Sequence, residues 1–228
     1  MNDQQKAFWD IIKTLHATHA LEHVIVIGSW SEYMYQESGA LNLRTSLKTQ
    51  DMDLLVPNIN KPREKIDLVA EFQKQGFELR QSQDGLIKLN KGGIIDLEFL
   101  VRQIGQGQNE PYKVHSLGVT AQGLRNMGIL IDNTMTATAN GYDVIVPRPE
   151  AYVLHKLAIN ENRKPDYKKE RDMEAVKNVL KAINQNPITI GRLQETYNGL
   201  TRKQQLRVQN TRQKYDIDLP LLIEDHRN

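Results

Sequence analysis

Three aspartates in this sequence stand in short apolar runs, where their side chains could bind a divalent cation together. Asp51 and Asp53 flank Met52 at the start of one run, and Asp96 lies in another run with Glu98 two residues later. Both runs are rich in the aliphatic and β-branched residues that favour strands. Side chains alternate between the faces of a strand, so Asp51 and Asp53 project to one face, as do Asp96 and Glu98. Carboxylates this close repel one another unless a cation such as Mg²⁺, which prefers oxygen ligands, lies between them.

A glycine and a serine at the end of a third apolar run provide a site for phosphate. Gly28 and Ser29 follow the run 23–27, and a glycine at a strand end lets the backbone approach a phosphate closely. A helix predicted over residues 30–36 would present free N–H groups at the same point. Ser29 with Glu32 also matches a capping box, which gives Ser29 a purely structural interpretation. Because Mg²⁺ commonly binds carboxylates together with substrate phosphates, the two sets of residues predict a metal and nucleotide site.

These residues resemble the signature of the nucleotidyltransferases of the DNA polymerase β type. That signature has Gly-Ser at a strand end, two aspartates separated by an apolar residue on the next strand, and a third aspartate on a later strand. Gln50 departs from it, because an apolar residue is expected before the first aspartate. The matching segments here are Ile27-Gly28-Ser29, Asp51-Met52-Asp53-Leu54-Leu55-Val56 and Ile94-Ile95-Asp96-Leu97.

The resemblance continues into the C-terminal half and covers roughly residues 21–185. A strand, a turn at Pro147-Arg148-Pro149, a helix with Lys156, and a later helix with Asp172 resemble bacterial standalone members. More distantly, they resemble AbiE-type toxin nucleotidyltransferases. Ser29 and Asp51 are 22 residues apart, a longer spacing than in the small antibiotic-modifying members, so the acceptor cannot be carried over from those.

The resemblance implies an α/β (α+β) nucleotidyltransferase fold, with a mixed sheet flanked by helices and a C-terminal helical subdomain. It implies an enzyme that transfers a nucleoside monophosphate from an NTP such as ATP to a hydroxyl-type acceptor with two metal ions, Mg²⁺ or alternatively Mn²⁺. One ion would orient the triphosphate and stabilise the departing pyrophosphate, and the other would activate the attacking hydroxyl.

The resemblance also assigns roles to residues. Asp51, Asp53 and Asp96 would be catalytic and metal-ligating. Asp96 would complete the second metal site or accept the acceptor's proton, and Glu98 is a weaker candidate on the same face. Asp172 would orient Lys156 or a nucleotide group, although an ordinary helix salt bridge explains it equally well. The nucleotide-binding residues would be Gly28, Ser29, Lys48, Lys156 and Asp172.

Length and composition are typical of a cytoplasmic enzyme. The 228 residues suffice for one large domain or two small ones, and we predict a catalytic core over 1–147 and a helical subdomain over 148–228. Cysteine is absent, which excludes disulfides and thiolate metal sites. The N-terminal residues lack the pattern of a signal peptide, and no apolar run has membrane-spanning length, so no membrane partner is expected.

The charge is distributed unevenly along the chain. Residues 1–147 contain 14 Lys or Arg and 17 Asp or Glu, whereas residues 148–214 contain 15 and 7. A basic helical half opposite an acidic metal site fits a triphosphate or another polyanionic substrate. The alternative is an ordinary solvated helical surface.

Hydrophobic spacing and turn residues predict the elements that must position these side chains. The loop 39–50 would carry Lys48 toward the site. The predicted strands, beyond the three that carry the motifs, are 77–80, 86–89 and a pair over 129–140 and 142–146 that turns at Asn140-Gly141. The predicted helices are about 3–18, 63–75, one starting at Pro149, 166–183, and one or two within 187–214.

Other interpretations lead to different classes of protein. His16, His19 and His23 have the spacing of helical zinc ligands, but His23 opens a strand, so the three do not share one helix face. The segment around Ser29 lacks the Gly-x-Ser-x-Gly elbow of a hydrolase. A nucleotide-binding or toxin-like regulatory protein of the same fold, inactive or gated by a partner such as an antitoxin, is a further alternative, although three costly carboxylates favour catalysis. The last alternative is an RNA-binding module that uses the basic C-terminal helices. If the protein is a transferase, the sequence leaves three classes of acceptor open: RNA, a protein or a small molecule.

Overall fold

The structure, a computed structural model, describes residues 1–45, 49–103, 105–108 and 110–220. The chain divides into two units, one of Met1–Ala40 with Arg44–Pro147 and one of Leu41–Leu43 with Arg148–Asn228. The first unit contains α1 (Asp3–Ala17), β1 (Ile25–Ile27), α2 (Ser29–Glu37), β2 (Asp51–Val56), α3 (Leu68–Lys74), β3 (Glu78–Gln81), β4 (Ile87–Lys91), β5 (Ile95–Arg102), β6 (Tyr112–Val114), β7 (Val119–Leu124), α4 (Gly128–Ile131), β8 (Thr134–Ala139) and β9 (Tyr142–Pro147). The second contains α5 (Pro149–Ile159), α6 (Asp166–Ile183), α7 (Pro187–Asn198) and α8 (Arg202–Lys214).

Seven strands within the described part of the first unit form one mixed sheet. Its order is β1, β2, β5, β4, β3, and β7 pairs with both β5 and β6. β2 is parallel to β5, whereas β1 is antiparallel to β2 and β4 is antiparallel to β5. The predicted mixed α/β fold is thus confirmed. β8 and β9 form a separate hairpin, which turns at the predicted Asn140-Gly141, where both residues have positive φ.

Alternation along β2 and β5 explains how the sheet is buried and where its polar residues lie. Met52 and Leu54 are fully buried on one face of β2, while the other face carries Asp51 and Asp53 and then Leu55. Further along that second face, Leu55 packs in a core with Ile25, Ile27, Leu100, Met127 and Leu130. One end of this face is therefore apolar and anchored, and the other end is polar.

An aromatic cluster fixes α1 and α2 against the start of β2. Phe8 of α1 stacks on Trp30 of α2 with ring centroids 4.7 Å apart, and both side chains are fully buried. Trp30 Nε1 donates a hydrogen bond to the carbonyl oxygen of Asp51 at 3.0 Å. Burial of two large aromatic rings contributes several kcal/mol, so the start of α2 has a defined position relative to Asp51.

Two predicted elements differ from the structure. The helix predicted over 63–75 begins only at Leu68, because the N–H of Ile66 donates to the carbonyl of Ser116 and the side chain of Asp67 caps the helix at Ala70. The strand predicted from residue 129 begins at Thr134, because the residues before it form α4, whose Leu130 packs in the core. Both errors arise from packing between segments that are distant in the sequence.

The second unit is a set of helices around α5. Pro149 occupies the first turn of α5, as predicted, and residues 149–158 are all buried. α6 has the predicted bounds of Asp166–Ile183, since its apolar residues repeat at helical spacing and bury Met173, Val176 and Leu180. In the described ranges, none of the helices of either unit combines the length and apolar character needed to cross a bilayer.

Candidate active site

The predicted acidic residues lie on one face of the sheet in the first unit. Asp51 of β2 is directly opposite Asp96 of β5, and Asp53 is directly opposite Glu98. Directly paired residues share a face, so the four carboxylates lie in two adjacent rows, which we call the acidic rows. One row is Asp51 with Asp96, and the other is Asp53 with Glu98. Asp51 is exposed, whereas Asp53, Asp96 and Glu98 are partly buried. The structure thus brings together the aspartates that the sequence pattern singled out.

Polar residues of β4 and β3 extend both rows. Asn90 pairs with Asp96 and Lys88 pairs with Glu98, and Arg80 of β3 pairs with Lys88. Asn90 Nδ2 donates to Asp96 Oδ1 at 2.7 Å, and Arg80 Nη2 donates to Asn90 Oδ1 at 3.0 Å. The sequence interpretation missed these three residues, because only the register of two antiparallel pairs places them beside the carboxylates.

On β4, Lys88 is the basic residue paired with the acidic rows, and its side chain forms an ion pair with Glu98. Burial would lower the pKa of Lys88, but the hydrogen bond and charge of Glu98, with the charges of Asp51 and Asp96, raise the pKa above its usual value. Lys88 is therefore protonated at neutral pH and offsets part of the repulsion among the carboxylates.

Gly28 brings the start of α2 to the edge of the acidic rows. It has φ 70° and ψ −149° and is the N-cap of α2, and Ile27 before it is paired with Asp53. The predicted capping box with Ser29 as the N-cap is wrong, since α2 begins at Ser29 itself and its N-cap has no side-chain hydrogen bond. The N–H of Ser31 donates to the carbonyl of Gly28, but no side chain caps the helix start, and the positive end of the helix dipole there favours an anion.

Replacement of Gly28 by Ala tests this close approach. A Cβ at Gly28 would lie 3.3 Å from Asp53 Oδ2, and the backbone conformation belongs to a region that only glycine adopts readily. We expect a loss of roughly 1–3 kcal/mol of unfolding free energy together with weaker nucleotide binding, measured by urea unfolding and by isothermal titration. Gly39→Ala is the matched control, because Gly39 has the same φ of +70° with nothing within 4 Å of its Cβ position. Equal nucleotide affinity of the two variants would contradict the role of Gly28.

The acidic rows fit a divalent ion by their chemistry, although they do not enclose one. Within the described ranges, no three Asp, Glu or His side chains are arranged so as to hold a metal ion by themselves. An open pair of carboxylates is nevertheless the usual protein contribution to an Mg²⁺ site whose other ligands are phosphates and water. Asp51 and Asp53 on one strand face, beside the start of α2, provide such a pair.

Lys156 and Asp172 contact each other within the second unit. Lys156 Nζ lies 2.5 Å from Asp172 Oδ1, and the two side chains are only 11% and 6% exposed. Arg163 Nε lies 3.2 Å from the other carboxylate oxygen, and Lys156 also packs over the ring of Tyr152. Asp172 therefore contacts two basic side chains, those of Lys156 and Arg163. The other lysine predicted to bind the nucleotide, Lys48, lies outside the described residues.

Two further titratable residues of α5 are buried. Burial raises the pKa of Glu150, opposed by its own N–H and by Arg192 and Arg148. Burial and the charge of Lys156 lower the pKa of His155 to about 3, with Asp172 opposing and Arg163 adding to the shift. Nε2 of His155 has no hydrogen-bond partner among the described residues. His155 is therefore neutral in the folded protein at neutral and mildly acidic pH.

The lowered pKa of His155 leads us to expect that the folded protein loses stability in acid. The unfolded chain protonates this histidine near pH 6.5, whereas the folded protein does so only near pH 3. Its contribution to stability is complete above pH 6.5 and falls between the two values by up to about 1.4 kcal/mol per pH unit. Urea unfolding at several pH values should show a shallower decline for His155→Gln. Equal slopes in the wild-type protein and in His155→Gln would contradict the prediction.

Comparison with known proteins identifies the family. Residues 6–197 match the family model NTP_transf_8, described as nucleotidyltransferase. The chain belongs to this nucleotidyltransferase family. The predicted nucleotidyltransferase family and enzyme class are thereby confirmed, whereas the more distant likeness to AbiE-type toxins stays a prediction. The acidic rows beside Gly28 lie inside the matched segment of this nucleotidyltransferase.

Solved structures are similar at low sequence identity. The crystal structure of an antigenic nucleotidyltransferase-like protein from Paracoccidioides brasiliensis is 14% identical, covers 94% of this chain and 89% of that one, and has a TM-score of 0.53. The crystal structure of ANT(2")-Ia in complex with adenylyl-2"-tobramycin is 12% identical, with coverages of 90% and 97% and a TM-score of 0.48. No curated protein sequence matches the chain. At 14% identity the likeness to the Paracoccidioides brasiliensis structure supports the fold alone.

Proposed function

We propose that this nucleotidyltransferase moves a nucleoside monophosphate from an NTP to a hydroxyl-type acceptor, with Asp51 and Asp53 as ligands of divalent metal ions. The observation that carries the proposal is the cross-strand register, which places Asp51 opposite Asp96 and Gly28 beside Asp53. One face of the sheet then offers carboxylates for metal ions and a glycine-capped helix start for phosphates. These are the two requirements of transfer from a triphosphate.

Each residue has a defined task in the proposed reaction. The backbone of Gly28 and Ser29 would bind the triphosphate at the start of α2, where no side chain caps the helix. Asp51 and Asp53 would hold Mg²⁺ or Mn²⁺, which supplies charge stabilisation for the phosphates and a lower pKa for the attacking hydroxyl. The acceptor oxygen forms a bond to the α-phosphorus, the bond from that phosphorus to the bridging oxygen breaks, and pyrophosphate leaves with the electron pair. Asp96 would take the proton of the hydroxyl, as a general base must lie within hydrogen-bond reach of it.

Lys156 and Asp172 enter the proposal as a phosphate contact and its support. Asp172 contacts Lys156 in the buried pair of the second unit, so a carboxylate holds the ammonium group in one orientation. The proposal that Lys156 compensates charge on the β- and γ-phosphates is supported by the sequence resemblance. The same role for Lys48 rests on the sequence alone.

Transfer of label from NTPs tests the proposal and identifies the acceptor class. The purified protein is incubated with each α-³²P-labelled NTP, Mg²⁺ or Mn²⁺, and a cell extract separated into RNA, protein and small molecules. We expect label in one class of acceptor with the wild-type protein and none with Asp51→Asn/Asp53→Asn. If nucleotide binds while no label moves under any condition, the transfer proposal fails, and the partner-gated or inactive alternative replaces it.

The charge of α8 favours a second candidate function, binding of RNA. This helix contains Arg202, Lys203, Arg207, Arg212 and Lys214 and no acidic residue. None of these cations forms an ion pair with another residue in the described part of the chain. α6 differs, because acidic residues accompany its five basic ones and Lys169 pairs with Asp166. A single-sign helix surface fits a polyanion such as RNA.

Salt dependence distinguishes RNA binding from the nucleotide site. Anisotropy of a labelled RNA should show affinity that falls steeply with salt, and Lys203→Gln/Arg207→Gln should reduce that slope by up to about 2. Asp51→Asn should leave RNA binding unchanged. Binding that is indifferent to salt would remove RNA as a candidate.

A further inference from the structure

The carboxylate of Asp96 is held by an amide whose orientation is itself fixed. Asn90 donates from Nδ2 to Asp96 Oδ1 at 2.7 Å, and Asn90 is only 2% exposed. An amide can turn by half a rotation and present its oxygen instead, which would set two acceptors against each other. Asn90 Oδ1, however, accepts hydrogen bonds from Arg80 Nη2 at 3.0 Å and from the backbone N–H of Gly93 at 3.1 Å. Both partners are donors without acceptor capacity there, so they determine which end of the amide faces Asp96.

We propose that Asn90 is a positioning residue for Asp96 and that Arg80 fixes Asn90 in turn. The inference rests on the proposed function, in which Asp96 accepts the proton of the acceptor hydroxyl. In this proposal Asn90 holds Oδ1 of Asp96, and Oδ2 is the oxygen that would take the proton of the acceptor. A general base acts only when its oxygen lies in line with the proton, and a small misplacement lowers the rate by about 10²-fold.

Kinetics of four variants test the proposal. Asn90→Leu removes the amide at similar volume, and Asn90→Asp keeps the shape but offers only acceptors. Arg80→Met removes the hydrogen bond that Arg80 donates to Asn90 Oδ1. We expect kcat to fall about 10²-fold in both Asn90 variants and about 10-fold in Arg80→Met, with KM for the NTP within about threefold of wild type. Gln81→Met, an exposed neighbour on the same strand, should retain the wild-type kcat.

Two kinetic outcomes would overturn the proposal. The first is an unchanged kcat in both Asn90 variants. The second is a parallel decline of kcat, NTP affinity and thermal midpoint, which would show that Asn90 only supports the sheet.

A structural readout separates this proposal from the proposed function. Crystal structures of wild type and Asn90→Leu would show Asp96 in one orientation in the first and turned, or in two rotamers, in the second. An unchanged Asp96 carboxylate in Asn90→Leu would overturn the positioning role whether or not the enzyme turns over. If the wild-type protein transfers no label, the proposed function fails, while the orientation of Asp96 still decides the role of Asn90.

Discussion

Replacing Asp53 by Asn is expected to abolish nucleotidyl transfer. Asp53 lies on the strand face that also carries Asp51 and is paired with Ile27, next to the start of α2. In the proposed reaction, the loss of this carboxylate would remove a metal ligand where the triphosphate would bind. Metal ions contribute several kcal/mol to stabilising such a transition state, so the rate should fall by at least about 10³-fold. The measurement is the initial rate of label transfer from the preferred NTP at saturating Mg²⁺.

The controls separate lost chemistry from lost structure. Asp143→Asn removes a carboxylate from another strand of the same unit and should leave the rate unchanged. Mn²⁺ affinity, followed by electron paramagnetic resonance, should weaken in Asp53→Asn and not in Asp143→Asn. Wild-type transfer by Asp53→Asn would exclude this residue from the reaction.

The largest effect on stability is expected in the second unit, where Asp172 meets Lys156. Asp172→Asn leaves the ammonium of Lys156 buried beside the ring of Tyr152 without its carboxylate. Removal of one partner of a buried ion pair costs about 3–5 kcal/mol. Lys156→Met should cost less, because Arg163 still lies 3.2 Å from Asp172. Urea unfolding at pH 7 measures both.

Two comparisons show whether burial causes the effect. The double variant Lys156→Met/Asp172→Leu should lose much less unfolding free energy than the two single losses added together, because it leaves no fully buried charge unpaired. Arg163 also loses its carboxylate, but its side chain is 39% exposed. Asp166→Asn breaks the pair with Lys169 in α6, where the Asp166 side chain is 90% exposed, and should not change the unfolding midpoint detectably. Equal losses of unfolding free energy in Asp172→Asn and Asp166→Asn would contradict the role of burial.

Much of the acidic site is predictable from the sequence, because it depends on local patterns. Alternation alone places Asp51 and Asp53 on one strand face, and the apolar residues between and after them indicate a buried strand. The bounds of α6 follow in the same way from helical periodicity. These features depend on residues within a few positions of one another.

Other features depend on contacts that no local pattern records. Asn90 and Arg80 reach Asp96 only through the register of β3, β4 and β5. The late start of α3 follows from a hydrogen bond between Ile66 and Ser116, fifty residues away in the chain. The predicted cap at Ser29 is displaced to Gly28, because glycine adopts a backbone conformation that serine would not. Long-range pairing therefore sets the details that matter most for the chemistry.

Parallel labelling of the α- and γ-phosphates of the preferred NTP tests the central claim most directly. Nucleotidyl transfer predicts that each α-³²P appearing in the acceptor is matched by one γ-³²P released as pyrophosphate, and that both signals disappear in Asp51→Asn/Asp53→Asn. Label from the γ position in the acceptor, or its release as inorganic phosphate while the α label stays on a nucleoside diphosphate, would contradict the account. Such a result would mean that the acidic rows cleave the triphosphate at a different bond.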